Sequence, residues 1–442
     1  MTIAKEVTPS DEIKGAPAVP YYTPDQPVRA GTFYHDESNQ DQEPPALFKP
    51  LKIGPLTLQN RIGVSPMCQY SANDKLEATP YHLIHYGALV TRGPGITIVE
   101  STSVSPEGGL SPHDLGIWTN AQAESLKPVV EYAHSQKQLI AIQLGHGGRK
   151  ASGQPPFLHL EQAADASVGG WPDKTVAPSA VPFRPHGNYP VPHELSVKDI
   201  KRIIKEFGEA ARRSVEISGF DAVEVHSAHG YLSNEFYSSV SNKRTDEYGG
   251  SYENRVRFLM EVIDEIKSNI DIKKTPIFVR ISAVENSPAP EAWSIEDSKR
   301  LADLLIEKGV SLLDVSSGGN DYRQAARSNI DSKNKEPIHV PFSRALKEHV
   351  GDKLVVSCVG GLDKDSHELN RFVEQGAFDL ALVARGFLRN PGLVWAIADD
   401  LGVRLHQALQ LAWGFWPNKQ QIVDLIARTE KAEQAEKAGS KY

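Results

Sequence analysis

Apolar and polar positions fall into one repeated arrangement from about residue 62 onward. Short runs dense in Val, Ile and Leu occupy 62–65, 96–100, 139–144, 221–225, 276–280, 312–315, 354–357 and 380–383. Their apolar residues are largely consecutive rather than alternating, which predicts strands covered on both faces. Each run is followed by the three-to-four-residue periodicity of an amphipathic helix: near 81–90, 121–135, from Ser196 onward, then 254–268, 295–308, 343–349, 365–375 and 391–400. Eight strand–helix units in succession predict an α/β fold, a single (β/α)8 TIM barrel over 47–401. A doubly wound sheet shares this alternation but expects a Gly-x-Gly-x-x-Gly turn after an early strand, and the chain has none.

Three stretches depart from the pattern. Residues 1–46 carry many Pro, Asp, Glu and Gln and no helical or strand period, so they read as an arm, either an ordered strap or a floppy tail. The alternation around Gly54 and Pro55 within 51–58 predicts a small hairpin. The stretch 147–195, rich in Gly, Pro and Ser, is too long for an ordinary connection. It is a candidate lid over the C-terminal face of the barrel, with a disordered insertion as the competing reading. Beyond the barrel, 402–442 forms a C-terminal extension.

Composition narrows the function. Of 442 residues, 48 are Lys or Arg and 56 are Asp or Glu; the net charge of -8 gives no general attraction for nucleic acid or an anionic membrane. No apolar run has the length of a membrane span, and the N-terminus lacks the apolar core of a signal peptide, so a cytoplasmic protein is expected. Two cysteines, Cys68 and Cys358, rule out a disulfide framework, a four-cysteine zinc site and an iron–sulfur cluster held by one subunit. No metal site is expected.

In such a barrel the chemistry belongs at the C-terminal ends of the strands. Those ends carry Ser65 to Tyr70, Glu100 and Ser101, Gln143, His226 with His229 and Tyr231, Arg280, Ser316 to Gly319, Cys358 to Gly361, and Ala384 to Gly386. Two imidazoles and a phenol after one strand offer hydrogen-bond donors and a proton donor to one small volume; two satisfied surface histidines and a core tyrosine are the plainer reading. Gly360 and Gly361 after the seventh strand, with Arg385 after the eighth, supply bare backbone N–H groups and a guanidinium where barrels commonly hold a phosphate. A permanent charge at Arg280 calls for an anion, and a bound cofactor explains it better than a structural ion pair.

Five motifs, LQNRI (58–62), SPMCQYS (65–71), IQLGHGGRK (142–150), HSAHGYL (226–232) and RTDEYGGS (244–251) with ENR (253–255), resemble those of the Old Yellow Enzyme family of FMN-dependent ene-reductases. The resemblance runs in unbroken order over 47–401 and leans to the branch called thermophilic-like, which carries the Cys and Tyr after the first strand. It implies non-covalent FMN, NAD(P)H as electron donor and a small enone or enal as substrate. Ser65, Pro66, Met67, Cys68 and Ser101 then lie along the flavin ring, with Gln143 and Arg280 at its pyrimidine edge and Gly360, Gly361, Ala384 and Arg385 at the phosphate. His226 and His229 would bind the substrate carbonyl, and hydride would pass from flavin N5 to the β-carbon. Tyr231 would give the proton to the α-carbon, Tyr70 would touch substrate, and Cys68 would tune the flavin. With no second nucleotide-binding domain in view, the two substrates would share one site in a ping-pong cycle.

The chain also departs from the family. Trp413 stands about where that branch places an arginine supplied by a neighbouring subunit. The aromatic run at 413–416 is a packing surface, for a second copy in a dimer or higher oligomer or for the chain's own barrel. His146, Arg149 and Lys150 read as structural or rim charges, and the 244–251 motif as a salt-bridged turn ending in the helix cap Ser251. Two competing functions stay open: a redox-neutral FMN isomerase of a secondary-metabolite pathway, and a sugar-phosphate lyase or aldolase, which would need a Schiff-base lysine or a metal cluster; the absence of a strand-end lysine counts against it.

Overall fold

The computed structural model describes residues 14–35, 43–159, 162–185, 189–324 and 336–415. Eight parallel strands close into a barrel: β3 (Ile62–Val64), β4 (Ile96–Ser103), β5 (Ile140–Gly145), β8 (Ala222–Ser227), β9 (Ile277–Ser282), β10 (Leu312–Ser316), β11 (Val355–Val359) and β12 (Leu380–Val383), which pairs back onto β3. The strand β1 (Leu51–Ile53) pairs with β2 (Leu56–Leu58) in the expected hairpin. Leu51, Ile53 and Leu58 join the inward residues Ile96, Ile98, Ala222, Phe278 and Leu312 in one apolar cluster, so the hairpin plugs the barrel interior at its N-terminal end. The outer strand faces pack on the helices in the larger core.

Side-chain alternation along the strands then builds the interior in layers. Along the strands the alternate positions run Ala222, Glu224, His226 on β8, Phe278, Arg280, Ser282 on β9 and Leu312, Asp314, Ser316 on β10, and the pairing sets Glu224 beside Phe278 and Leu312, and His226 beside Arg280 and Asp314. The strand ends therefore rise from oil to charge to chemistry.

Three differences from expectation have physical causes. β4 runs three residues beyond 100, because a bulge between Val99 and Ser101 absorbs Glu100 as an extra residue and lets the polar tail keep pairing with β5. A short helix, Leu232–Tyr237, follows the histidine motif and is too brief to leave a periodic signal. Within 147–195 the described residues hold short 3-10 turns and the strands β6 (Val176–Ala177) and β7 (His193–Glu194). Helix starts are capped as the sequence implies: Ser251 accepts from the Asn254 N–H, and Arg244 pairs with Asp246 at 2.5 Å in the turn before it.

The described part of the arm, 14–35, is an ordered strap. Phe33 bridges to Leu405, the His406 N–H donates to the Thr32 carbonyl, and Gln26 accepts from the Leu409 N–H, so arm and C-terminal extension dock on each other. Gly31, at a φ of 84°, lies so close to Gly93 that a Cβ would sit 1.9 Å from its carbonyl oxygen. Trp413 is 75% exposed, while Phe415 meets the Trp395 ring edge-on; Trp416 lies outside the described residues.

Candidate active site

The residues after β8 converge. Ring centroids are 5.2 Å apart for His226 and His229, 4.9 Å for His226 and Tyr231, and 6.4 Å for His229 and Tyr231. The turn that brings the rings together puts His229 at a φ of 61° and Gly230 at 72°. A non-glycine residue in that region is uncommon, and several bonds hold it. The His229 N–H donates to Ser282 Oγ, its Nε2 lies 2.6 Å from Ser316 Oγ, and Lys150 Nζ donates to the His229 and Gly319 carbonyls at 2.9 Å each. Lys150 also sits 5.1 Å from the centre of the Tyr231 ring.

Of the two readings of 146–150, structural residues or rim charges, the structure supports the structural one. His146 and Arg149 are buried, Arg149 donates to the Asn320 carbonyl and side chain, and Lys150 clamps the turn that carries the histidines. Burial, reinforced by Arg149, pulls the Lys150 ammonium down to about 7.

Electrostatics fit the three rings for donation. Burial, then the charge of Arg280, holds both imidazoles well below the usual histidine range, so they are neutral at pH 7. The His226 Nδ1 accepts from the Ala228 N–H, which assigns the ring proton to Nε2. Burial pushes the Tyr231 and Tyr70 phenols up, keeping both protonated.

Beneath the rings lies the charged layer. Arg280 Nε is 3.1 Å from Asp314 Oδ2, yet the two lack hydrogen-bond alignment and both atoms keep unmet capacity. Arg280, for which a cofactor is the better explanation than a structural ion pair, thus has a built-in partner in Asp314 as well. Gln143 donates one amide hydrogen to Glu224 Oε1 at 2.7 Å, leaving the other for a ligand, and Glu224 Oε2 has no partner. Sequence reasoning missed Asp314 and Glu224, although the rule that singled out Arg280, a charge in an apolar strand, applies to both.

A cavity of about 370 Å³ opens over β9 to β12, lined among others by His229, Arg280, Gly360, Gly361, Ala384 and Arg385. Gly360 and Gly361 have φ of 106° and 77°, conformations that expose backbone donors and suit glycine alone. The buried Ser65 hydroxyl has no partner among the described residues, and Ser101 stands opposite Gln143 across β4 and β5. Pro66, Met67, Cys68 and Tyr70 follow on the β3 loop, half-buried, with Tyr70 edge-on to Phe157 of the long loop at 5.7 Å. Of the residues read as cofactor contacts, Arg280, Gly360, Gly361, Ala384 and Arg385 line this cavity, whereas Ser65, Pro66, Met67, Cys68, Ser101 and Gln143 lie outside its lining. A larger cavity, about 510 Å³, lies between arm and extension but contains none of the strand-end groups, so size does not mark the site.

Comparison with known proteins settles the class. The model of the NADH:flavin oxidoreductase / NADH oxidase family matches residues 46–403. The chain belongs to that family. A curated NADH:flavin oxidoreductase of Gibberella zeae is 43% identical over 408 residues, 90% of this chain and 95% of that protein. Among solved structures, morphinone reductase (26% identity, TM-score 0.63, 83% of this chain and 92% of that one) and the Old Yellow Enzyme homologue from Zymomonas mobilis (26%, 0.63, 82% and 94%) are similar. A 2-naphthoyl-CoA reductase superposes at TM-score 0.70 but at 21% identity, which speaks for the fold alone; this chain covers 52% of its length. The family membership makes the protein an oxidoreductase of the Old Yellow Enzyme type, with FMN as cofactor and NAD(P)H as donor. Among the described residues no helix is long and apolar enough to cross a membrane.

Proposed function

We propose that the chain is a cytoplasmic ene-reductase of the thermophilic-like branch that reduces the C=C bond of small enones and enals in a ping-pong cycle. The observation that carries this is the shared mouth: His229 and Arg280 line the same cavity as Gly360, Gly361 and Arg385. Its donors suit FMN: the glycine turns and Arg385 take the phosphate, and Arg280, Gln143, Ser65 and Ser101 have hydrogens to offer the ring. When bound, FMN supplies the two-electron chemistry, accepting hydride from NAD(P)H and passing it to the β-carbon.

The chain's own residues do the rest. His226 and His229, neutral and held by the Lys150 clamp, donate to the substrate carbonyl oxygen and stabilise the enolate charge that gathers there. Tyr231 hands its proton to the α-carbon, and Tyr70 and Cys68 border the substrate. The loop 147–195 caps the mouth: Tyr70 packs on Phe157, and Lys150 lies 4.5 Å from the Phe183 ring. With it go a division into arm (1–46), barrel (47–401) and extension (402–442), and a homo-oligomer that covers the exposed Trp413.

Replacing His226 and His229 together by Ala tests the assignment. Phenol binding and enone turnover are expected to vanish while the protein stays yellow; turnover that survives at wild-type rate rejects the carbonyl-binding role.

A further inference from the structure

Behind the β3 loop is a group of acids that the reduction itself does not use. Cys68, Glu100 and Asp114 each present an atom, a thiol sulfur or a carboxylate oxygen, and the three lie within 4.8 Å of one another. Glu100 arrives there because the β4 bulge adds it to the strand, and Asp114 because the Ser111 N–H holds its Oδ2 at 2.6 Å. Its Oδ1 is buried with no partner among the described residues, and Asp114 as a whole is 1% exposed. A buried carboxylate oxygen without a donor is costly unless a proton is shared with it.

Among the described residues no lysine or arginine acts on the three groups. Around them are His82, His85 and Tyr86 of the helix Pro80–Val90, Tyr70 of the β3 loop and Tyr231 of the β8 loop. The Thr79 N–H donates to His82 Nδ1, and burial draws His82 and His85 down to about 4, so both are neutral. The three tyrosines are held protonated. Glu100 is itself served by the Gln69 N–H at 2.7 Å and the Tyr86 hydroxyl at 3.1 Å. Asp114 and Glu100 thus each have donors, and burial lets the site hold one negative charge at most.

We propose that Cys68, Glu100 and Asp114 form one proton-sharing cluster, in which Asp114 and Glu100 act as positioning residues that keep the Cys68 sulfur a thiol. The inference rests on the proposed placement of Cys68 beside FMN only for its consequence, namely that the two carboxyls help set the flavin potential. Burial and then Asp114 and Glu100 push the thiol well above the ordinary range, while the Ser101 N–H at the sulfur pulls the other way. The carboxyls respond in kind: burial raises Asp114 to about 7 and Glu100 to about 8.

The test measures the thiol without the flavin. In protein stripped of FMN, alkylation of Cys68 by iodoacetamide, followed by peptide mass across pH 6–10, gives the thiolate fraction. Cys358 is fully buried in the core and serves as the internal unreactive thiol. Asp114→Asn and Glu100→Gln each remove a charge but keep the shape, and each is expected to speed alkylation at pH 8 about tenfold, as a one-unit fall in thiol pKa requires. Asp114→Glu is expected to restore the slow profile. Unchanged pH profiles in both variants, with wild-type circular dichroism, overturn the proposal. If one variant fails to fold, the other decides, together with the infrared band of a protonated carboxyl in the wild type at pH 7, whose absence also overturns it. Reconstituted with FMN, both variants are expected to shift the flavin midpoint potential. Faster alkylation with an unmoved potential leaves the cluster standing and removes Cys68 from the flavin.

Discussion

The proposed carbonyl-binding role of His226 and His229 rests on their being poor bases. An imidazole that stays neutral keeps an N–H to donate and does not trap the enolate as an ion pair, and burial beside Arg280 ensures that neutrality at pH 7. Tyr231 is the complementary case, a phenol whose burial denies it ionisation in the working pH range, which suits the proposed role of acid. Changing Tyr231 to Phe is expected to slow the enone half-reaction by roughly 10² to 10⁴-fold and to leave flavin reduction by NAD(P)H within about twofold. Stopped-flow measurement of the two half-reactions separates these effects; equal slowing of both would assign Tyr231 to binding rather than proton transfer.

At the scale of the element, the strand ends work because each strand carries its own foundation two residues below. Glu224 lies under His226, Arg280 under Ser282 and Asp314 under Ser316, and the pairs Gln143–Glu224 and Arg280–Asp314 cross between strands. Replacing Asp314 by Asn leaves the Arg280 charge buried without its partner, and a loss of about 3 kcal/mol in urea unfolding is expected for the FMN-free protein. Bound FMN is expected to recover part of it, since Arg280 then has a second acceptor.

The eight strands and the convergent mouth were legible in the sequence because consecutive apolar residues and the strand-end rule are local signals. The layer beneath them was not, because Asp314 and Glu224 look like incidental charges until register places them opposite Arg280 and Gln143. Lys150 was likewise hidden: its bonds go to carbonyls 79 and 169 residues away, which no spacing announces. The bulge that brings in Glu100 depends on pairing with β5 and leaves no mark in β4 alone.

Across the whole molecule, the interior holds protons that an unfolded chain would release. Burial raises Glu100 and Glu235 from 4.5 to about 8, so between these values the folded state binds more protons than the unfolded one. Their contribution to stability is complete below about pH 4.5 and is lost as pH rises toward 8. Glu235→Gln, which cannot release a proton, is expected to flatten the decline in urea midpoint between pH 5 and pH 8; an unchanged slope would remove Glu235 from the balance. The strap is a second property of the whole chain. Gly31→Ala forces the arm off Gly93 and is expected to lower Tm while leaving the flavin bound.

The central claim is that one mouth serves both a reduced nicotinamide and an activated alkene. Its direct test is anaerobic flavin absorbance in the purified protein. NAD(P)H is expected to bleach the yellow colour, and a small enone added to the bleached protein to restore it with reduction of the C=C bond. A protein that takes up no FMN, or one that bleaches and is reoxidised by no enone or enal, would contradict the account.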